Sequence, residues 1–362
     1  MAIGKNEKNL YKLMKESPHV VLLGAGASCA CILNGDKNGL KISAMNNFLE
    51  NTGIDIGYTG KFKNLEDIYQ DIDASKKKVL EDKVNKYFNK FMLPDEPTIY
   101  DILIISLTHK DLIASFNWDP LLIQACQRCL KYTQDIPEIV FLHGNVWEWY
   151  AVDANGIMTI VFAQSECPPG AFIKKSDEQK CTKSPLLFPV KNKNYSDNDY
   201  IRKAWDILQD RLSKSFMLTI FGYSGPKSDE EALALLKSGF LIKKNNSDTS
   251  DINNFKQLII IDINVNDEKE REIYKSFERL LDVPQSTFTE GIKDYLEILD
   301  GFWDENNWLI LWPRLTIDGY FTTQYELKFT PEKLMTINNE NLTWDFIELI
   351  IKNQIKKEEL LF

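Results

Sequence analysis

Apolar residues cluster along the chain in short runs set between longer polar or mixed stretches. Five runs read as buried strands: 19–24 (His-Val-Val-Leu-Leu-Gly), 112–116 (Leu-Ile-Ala-Ser-Phe), 139–142 (Ile-Val-Phe-Leu), 216–221 (Phe-Met-Leu-Thr-Ile-Phe) and 258–261 (Leu-Ile-Ile-Ile). They are continuous rather than alternating, as expected of strands covered on both faces. A further strand is read at 157–163. Spacings of three and four predict helices at 5–17 (Leu10, Leu13, Met14), at 97–107 (Ile99, Leu103, Ile104, Leu107), from Pro120 onward, at 199–214 and at 228–237. Strands that alternate with helices indicate a parallel sheet.

Residues 29–95 are polar and rich in lysine and asparagine, with weak helical periodicity at 64–72 and 78–92 and no convincing strand. A dehydrogenase unit would place a strand ending in Asp or Glu about 20 residues past its first glycine turn. Glu50 lies near that distance but ends a helical pattern with Met45, Phe48 and Leu49, which weighs against a simple dehydrogenase. Past residue 265, helices are read at 267–281 and 341–361 and strands at 308–312 and 320–329. The expected fold is therefore α/β: a doubly wound, Rossmann-like parallel sheet in 1–265 with a mainly helical insertion at 29–95, and a C-terminal α+β appendage at 266–362. Trp303, Trp308 and Trp312 concentrate aromatic surface in the appendage. Large aromatics are enriched at interfaces, so the appendage reads as serving a homo-oligomer, with burial against the main domain an equal alternative.

A chain of 362 residues, 44% hydrophobic, can bury a large core. Its net charge of −10 opposes attraction of nucleic acid to the chain as a whole, and Lys76-Lys77-Lys78 and Lys174-Lys175 read as solvated surface. No apolar run approaches the roughly 20 residues of a membrane span. The polar, lysine-rich first residues do not read as a secretory signal, so the expected location is the cytoplasm. Cys126 and Cys129 invite a zinc reading, but the candidate second pair, Cys167 and Cys181, is widely spaced, and the first pair falls on a predicted helix. No metal is expected.

The candidate chemistry lies where strands end. The first strand runs into Gly24-Ala25-Gly26-Ala27-Ser28. Gly24 suits a tight turn, Gly26 a close approach to a pyrophosphate, and Ser28 a cap on the following helix, whose N-terminus favours an anion. Other strands end at Asn117–Asp119, His143–Gly144, Gly222–Ser224 and Asp262–Asn264. Each ending alone is ordinary turn chemistry. Together, on the edge where a doubly wound sheet binds ligands, they form a candidate site. Of the three histidines, His19 opens a strand and His109 sits in a polar turn, so both read as structural; His143 stands at a strand end.

Gly24-Ala-Gly-Ala-Ser28, Ser115-Phe-Asn-Trp-Asp119, Leu142-His-Gly144 and Phe221-Gly-Tyr-Ser224, in that order, resemble the motifs of the sirtuin superfamily over about residues 18–265. They look most like those of the bacterial sirtuin-like NAD hydrolases of antiphage defence. The resemblance implies that Gly24, Ala25, Gly26 and Ser28 cradle the NAD diphosphate, and that Asn117 and Asp119 face the nicotinamide ribose. It makes His143 catalytic, sets Gly222, Tyr223 and Ser224 against the phosphate or adenosine half, and sets Asp262 or Asn264 against the adenine-side ribose. Asp119 as a helix cap and Tyr223 as a packing residue remain open beside these roles.

Cleaving the nicotinamide–ribose bond develops positive charge on the sugar, as in glycoside cleavage. It needs a placed ribose and a base such as a neutral imidazole. The two cysteine pairs and the Gly-Ile-Pro-Asp-Phe-Arg block of protein deacylases have no counterpart; Cys29–Leu40 follows the glycine turn instead. Water is thus the implied acceptor, and the implied function is an NAD glycohydrolase, zinc-free, held inactive until assembly or a partner such as a HerA-type ATPase activates it. Two other classes stand beside it: a non-catalytic NAD or ADP-ribose sensor, and a deacylase or ADP-ribosyltransferase.

Overall fold

The computed structural model describes residues 17–152, 158–164, 182–188, 195, 198–215, 217–223, 225, 229, 231–236, 238, 257–261, 343–345 and 348. All but the last residue of the helix expected over 5–17, with Cys167, Cys181, Ser224, Asp262, Asn264 and nearly all of the 266–362 appendage, including Trp303–Trp312, lie outside the described residues.

In chain order the elements are β1 (His19–Leu23), α1 (Ala25–Cys31), α2 (Phe48–Thr52), α3 (Leu65–Asp71), α4 (Ala74–Phe88), α5 (Ile99–Ser106), β2 (Leu112–Ser115), α6 (Leu121–Cys129), β3 (Glu138–Phe141), β4 (Glu148–Val152), β5 (Met158–Phe162), β6 (Thr182–Lys183), α7 (Asp199–Lys214), β7 (Met217–Phe221) and β8 (Gln257–Ile261). The five strands read from continuous apolar runs form one sheet in the order β3-β2-β1-β7-β8, and every pairing is parallel. The chain winds outward from β1 through β2 to β3, then resumes on the other side of β1 with β7 and β8. This is a Rossmann-like α/β fold, with its topological switch point between β1 and β7.

Both faces of the sheet are covered. Val21, Leu23 and Ile113 face the helices of the first half, with Phe48, Leu80, Phe88, Leu103 and Leu122. Val20, Leu22, Ala114, Val140, Leu218 and Ile220 face α7, whose Ile201, Trp205, Leu208 and Leu212 fill the opposite layer. The insertion between α1 and α5 holds three helices and no strand pairing beyond a single Asn46–Asn64 bridge. Asn64 and Asp73 cap α3 and α4 by accepting from backbone N–H groups.

The run at 157–163 forms β5, but outside the main sheet. It pairs antiparallel with β4, which also holds β6, in a separate three-stranded sheet. Neither β4 nor β6 stands out in the sequence. β4 carries a glutamate and two half-buried aromatics, and β6 is two residues long, so both depend on cross-strand partners rather than on their own pattern. No helix among the described residues is long and apolar enough to cross a membrane. Near the C-terminus, Trp344 stacks on Tyr132 (5.2 Å between ring centroids), lies under the Arg128 guanidinium and donates from Nε1 to the Asp95 carbonyl at 2.9 Å, tying that segment to α6.

Two buried ionisable groups make stability depend on pH in opposite directions. His19 donates its backbone N–H to Asp111 and meets Thr219 Oγ1 at 2.8 Å through Nε2. Burial lowers its pKa to about 3. The unfolded chain therefore takes a proton that the folded chain refuses, and stability falls as pH drops from about 6.5 toward 3. Glu148 is buried at the head of β4, and its Oε2 has no hydrogen-bond partner. Burial raises its pKa from 4.5 to about 8. Between those values only the unfolded chain ionises, so the stability present at low pH is lost as pH rises. Glu148→Gln should remove this second dependence. Denaturant unfolding at pH 5 and pH 8 should show the wild type losing on the order of a few kcal/mol more than the variant; equal losses would contradict the assignment.

Candidate functional site

The sheet register sets the strand ends in one row. Leu23 pairs with both Ser115 and Phe221, Ser115 pairs with Phe141, and Phe221 pairs with Ile261. Gly24, Phe116, Leu142 and Gly222 each follow that row by one residue, and Asn117, His143 and Tyr223 by two. The motif residues at 24–28, 117–119, 143–144 and 222–223 therefore converge on one edge, centred on the switch point. Ser224, Asp262 and Asn264 lie outside the described residues.

The glycine turn is shaped by its neighbour. Gly24 donates to the Phe221 carbonyl at 2.9 Å, and Gly26 donates to the Gly222 carbonyl at 3.0 Å. A Cβ on Gly24 would meet Gly222 O at 2.4 Å, and one on Gly26 would meet Gly222 Cα at 2.8 Å. Gly222 has φ +64°, and its own Cβ would fall 2.2 Å from the Ala27 nitrogen. These glycines are thus required by backbone packing of one strand end against the next. Ala25 is exposed and Gly24 is buried.

The cap expected of Ser28 is not formed. Helix α1 starts at Ala25 with Gly24 as its N-cap, so Ser28 lies inside the helix. The Gly26 and Ala27 N–H groups are taken by Gly222 O and Gly24 O. The Ser28 hydroxyl instead turns inward, 2.8 Å from Tyr100 OH and 2.8 Å from Asn117 Nδ2.

Asn117 ties these parts together. Its Nδ2 also donates to the Gly24 carbonyl at 2.8 Å, and its backbone N–H donates to Ser115 Oγ at 3.1 Å. The Gly24 carbonyl can only accept, so the amide orientation is fixed, and Oδ1 is the end that remains to meet a ligand. Asp119 Oδ1 accepts at 3.2 Å from the Leu121 N–H, the first of α6, but from the position before the N-cap, which is Pro120 and has no side-chain cap bond. Asp119 (3% exposed) and Asn117 (8%) are both buried. Burial raises the Asp119 pKa to about 6, against the lowering effect of its bond from Leu121.

His143 stands across the crevice at 8% exposure. Its ring packs edge-on to Phe116 and parallel to Tyr195, and its Nε2 lies 3.0 Å from Tyr195 OH. Gly144 has φ +74°, and a Cβ there would fall 1.9 Å from the Pro185 carbonyl. Tyr223 stacks on Phe116 at 4.3 Å and donates a long bond (3.5 Å) to Asp229. Its ring is a packing surface for the site floor.

Sequence reasoning missed Tyr100, Asn145 and Tyr195. Asn145, fully buried, donates to the Asp119 carbonyl at 2.6 Å and accepts from the Trp147 N–H at 3.0 Å, pinning the His143 turn to the Asn117 loop. Its place directly after His143-Gly144 was the available signal. Tyr100 and Tyr195 reach the site from remote segments and gave none. Cys126 and Cys129 lie on α6, and burial raises both thiols, Cys126 to about 11. Among the described residues no three His, Cys, Asp or Glu side chains form a group able to hold a metal ion.

No family model and no curated protein matches the chain. Among solved structures it is similar to one described as the structural basis of sirtuin substrate affinity (16% identity, 74% of this chain and 98% of that one, TM-score 0.33). It is also similar to a Sir2 homologue–NAD complex (13%, 75% and 94%, TM-score 0.35) and to Sir2 bound to acetylated peptide (15%, 75% and 98%, TM-score 0.32). At such low scores the assignment of fold rests on the strand order and register themselves.

Gly222→Ala should lower stability by more than Gly39→Ala. Gly39 also has positive φ but has nothing within 4 Å of a new Cβ, so its substitution costs only the left-handed backbone, about 1–2 kcal/mol. The Gly222 variant adds a clash with backbone. Equal midpoints in denaturant would refute the packing role.

Proposed function

We propose that this protein is a sirtuin-like NAD hydrolase that cleaves the nicotinamide–ribose bond to give nicotinamide and ADP-ribose. The observation that carries the reading is the convergence of the ordered motif blocks at the switch point, with Asn117 hydrogen-bonded directly to the glycine turn. In this reading Gly24, Ala25, Gly26 and Ser28 form the turn that receives the diphosphate. Gly222, Tyr223 and Ser224 flank it, and Asp262 or Asn264 takes the adenine-side ribose. Asn117 and Asp119 orient the nicotinamide ribose, and His143 is the base for a ribose hydroxyl or water. An imidazole suits that role near neutral pH. For Nε2 to act, its contact with Tyr195 OH must be exchanged for one with the substrate.

Water as the acceptor is supported by the absence from the sequence of the deacylase cysteine pairs and peptide-groove block. No metal is assigned a role. Because free-running NAD loss would harm the host cell, activity is proposed to depend on assembly of a homo-oligomer or on a partner such as a HerA-type ATPase, in an antiphage role in the cytoplasm.

The test is incubation of the full-length protein with NAD, alone and with its genomic neighbour, with chromatography of nicotinamide and ADP-ribose. His143→Ala should lower turnover by about 10²–10⁴-fold in protein that still unfolds cooperatively, with a somewhat lower midpoint because the packing on Phe116 and Tyr195 is lost. Asn117→Ala should lose turnover and also about 1–3 kcal/mol of stability, because Ser28 and the Gly24 carbonyl lose a buried donor. NAD bound but never cleaved, with both variants still protective in cells, would favour the sensor reading. Acyl-peptide turnover would favour the deacylase.

A further inference from the structure

Strands β2 and β3 stay paired as far as Ser115 and Phe141, and the Leu142 N–H donates to the Ser115 carbonyl at 2.8 Å. Beyond that point the two chains leave the sheet, and Asn117 and His143 stand on the departing loops. The residues after His143-Gly144 join those loops. Asn145 Nδ2 donates to the Asp119 carbonyl at 2.6 Å and to the Asn117 carbonyl at 3.4 Å, and the Val146 N–H donates to the Trp118 carbonyl at 3.0 Å. Three successive carbonyls of the Asn117 loop are thus taken by two successive residues of the His143 loop. The direction of each bond is determined by geometry. Backbone carbonyls can only accept, and the Trp147 N–H, which meets Asn145 Oδ1 at 3.0 Å, can only donate. The amide therefore has one orientation, with both ends used and no exposure to solvent.

We propose that Asn145 is a positioning residue of this site: its Nδ2 protons, given to the carbonyls of Asn117 and Asp119, set the separation between the Asn117 side chain and the His143 ring. The kinetic consequence rests on the NAD-cleavage reading; the separation does not.

The two arms of Asn145 do different work. The Oδ1 bond from the Trp147 N–H, two residues on, is a local Asx turn that shapes only its own loop. The Nδ2 arm crosses between loops, over 26 and 28 positions of sequence. Gly144 turns the His143 chain with a φ of +74°, and its N–H donates to the Phe141 carbonyl at 3.3 Å, so these features also act within the loop. The glycine turn is held by Gly222 and by Asn117 Nδ2 instead. Loss of the Nδ2 arm should therefore move the base against the ribose-orienting amide and leave the turn that receives the diphosphate in place. That is a loss of kcat rather than of binding.

The first test is Asn145→Ala in full-length protein, assayed under the conditions in which wild type cleaves NAD and well below the unfolding temperature. The kcat should fall about 10–100-fold with KM little changed. A residue that only stabilises the fold predicts wild-type kcat per folded molecule. That result overturns the proposal, as does a raised KM at unchanged kcat. Asn145→Asp keeps the shape and the bond from Trp147. Ionised, its carboxylate repels the two carbonyls; neutral, its O–H can donate in place of Nδ2. The ratio of variant to wild-type kcat should therefore rise as pH is lowered from about 8 to about 6. Titration of His143, Asp119 and Glu148 acts on both proteins and is removed by the ratio. A flat ratio overturns the proposal, and if Asn145→Ala does not fold, this ratio decides alone. Crystal structures of wild type and of the variant that folds give a readout without NAD: the distance from Asn117 Oδ1 to His143 Nε2 should grow by about 1 Å. An unchanged distance overturns the proposal. Wild-type protein that leaves NAD intact under every condition would sink the proposed reaction, while the two structures would still decide the role of Asn145.

Discussion

The site depends on one contact, the seating of the Gly24–Gly26 backbone on Gly222 at the switch point. Strands β1 and β7 run side by side, and their chains must leave the sheet in opposite directions. Two backbones then cross with no side chain between them, which only glycine permits. The Gly26 N–H is spent on the Gly222 carbonyl, and the turn carbonyl at Gly24 is spent on Asn117. Helix α1, the Asn117 loop and the end of β7 are thereby locked into one unit. A glycine turn of this kind is usually explained by the ligand it admits. Here the packing of the protein already requires both glycines, so the turn sequence by itself says little about what binds, and the chemical reading must rest on the residues gathered around it.

How much of this was legible in the sequence follows from how local each cause is. Strands such as 112–115 and helix 199–214 announce themselves because their own residues carry the apolar pattern that buries them. The convergence of strand ends was legible too, since a parallel sheet brings all C-terminal ends to one edge. The role of Ser28 was not. Its neighbours at Gly24 and Gly26 suggested a capping serine, but those N–H groups are satisfied by a strand end about two hundred residues away in sequence, freeing the hydroxyl to turn inward. Tyr100 was hidden for a related reason: nothing in the amphipathic pattern of 97–107 separates a tyrosine that fills space from one that bonds to Ser28, 72 positions earlier. Strand β4 was missed because a buried glutamate at its head disguises it as surface; burial raises its pKa to about 8, so the carboxyl is buried in its neutral form.

The two sides of the crevice are built on different physical terms. On the Asn117 side, polar groups are linked by hydrogen bonds through Gly24, Ser28 and Tyr100, and removing the Asn117 amide strands the others. On the His143 side, the ring packs on Phe116 and Tyr195 and meets Tyr195 OH through Nε2 at 3.0 Å, and Trp205 donates to the Leu142 carbonyl just before the histidine. Aromatic packing is less directional than a saturated hydrogen-bond network. Asn117 and His143 are each nearly covered, at 8% exposure. Under the proposed reaction, a substrate reaching His143 Nε2 would exchange with the Tyr195 OH contact, whereas Asn117 could meet it through Oδ1 while Nδ2 keeps its bonds to the Gly24 carbonyl and Ser28.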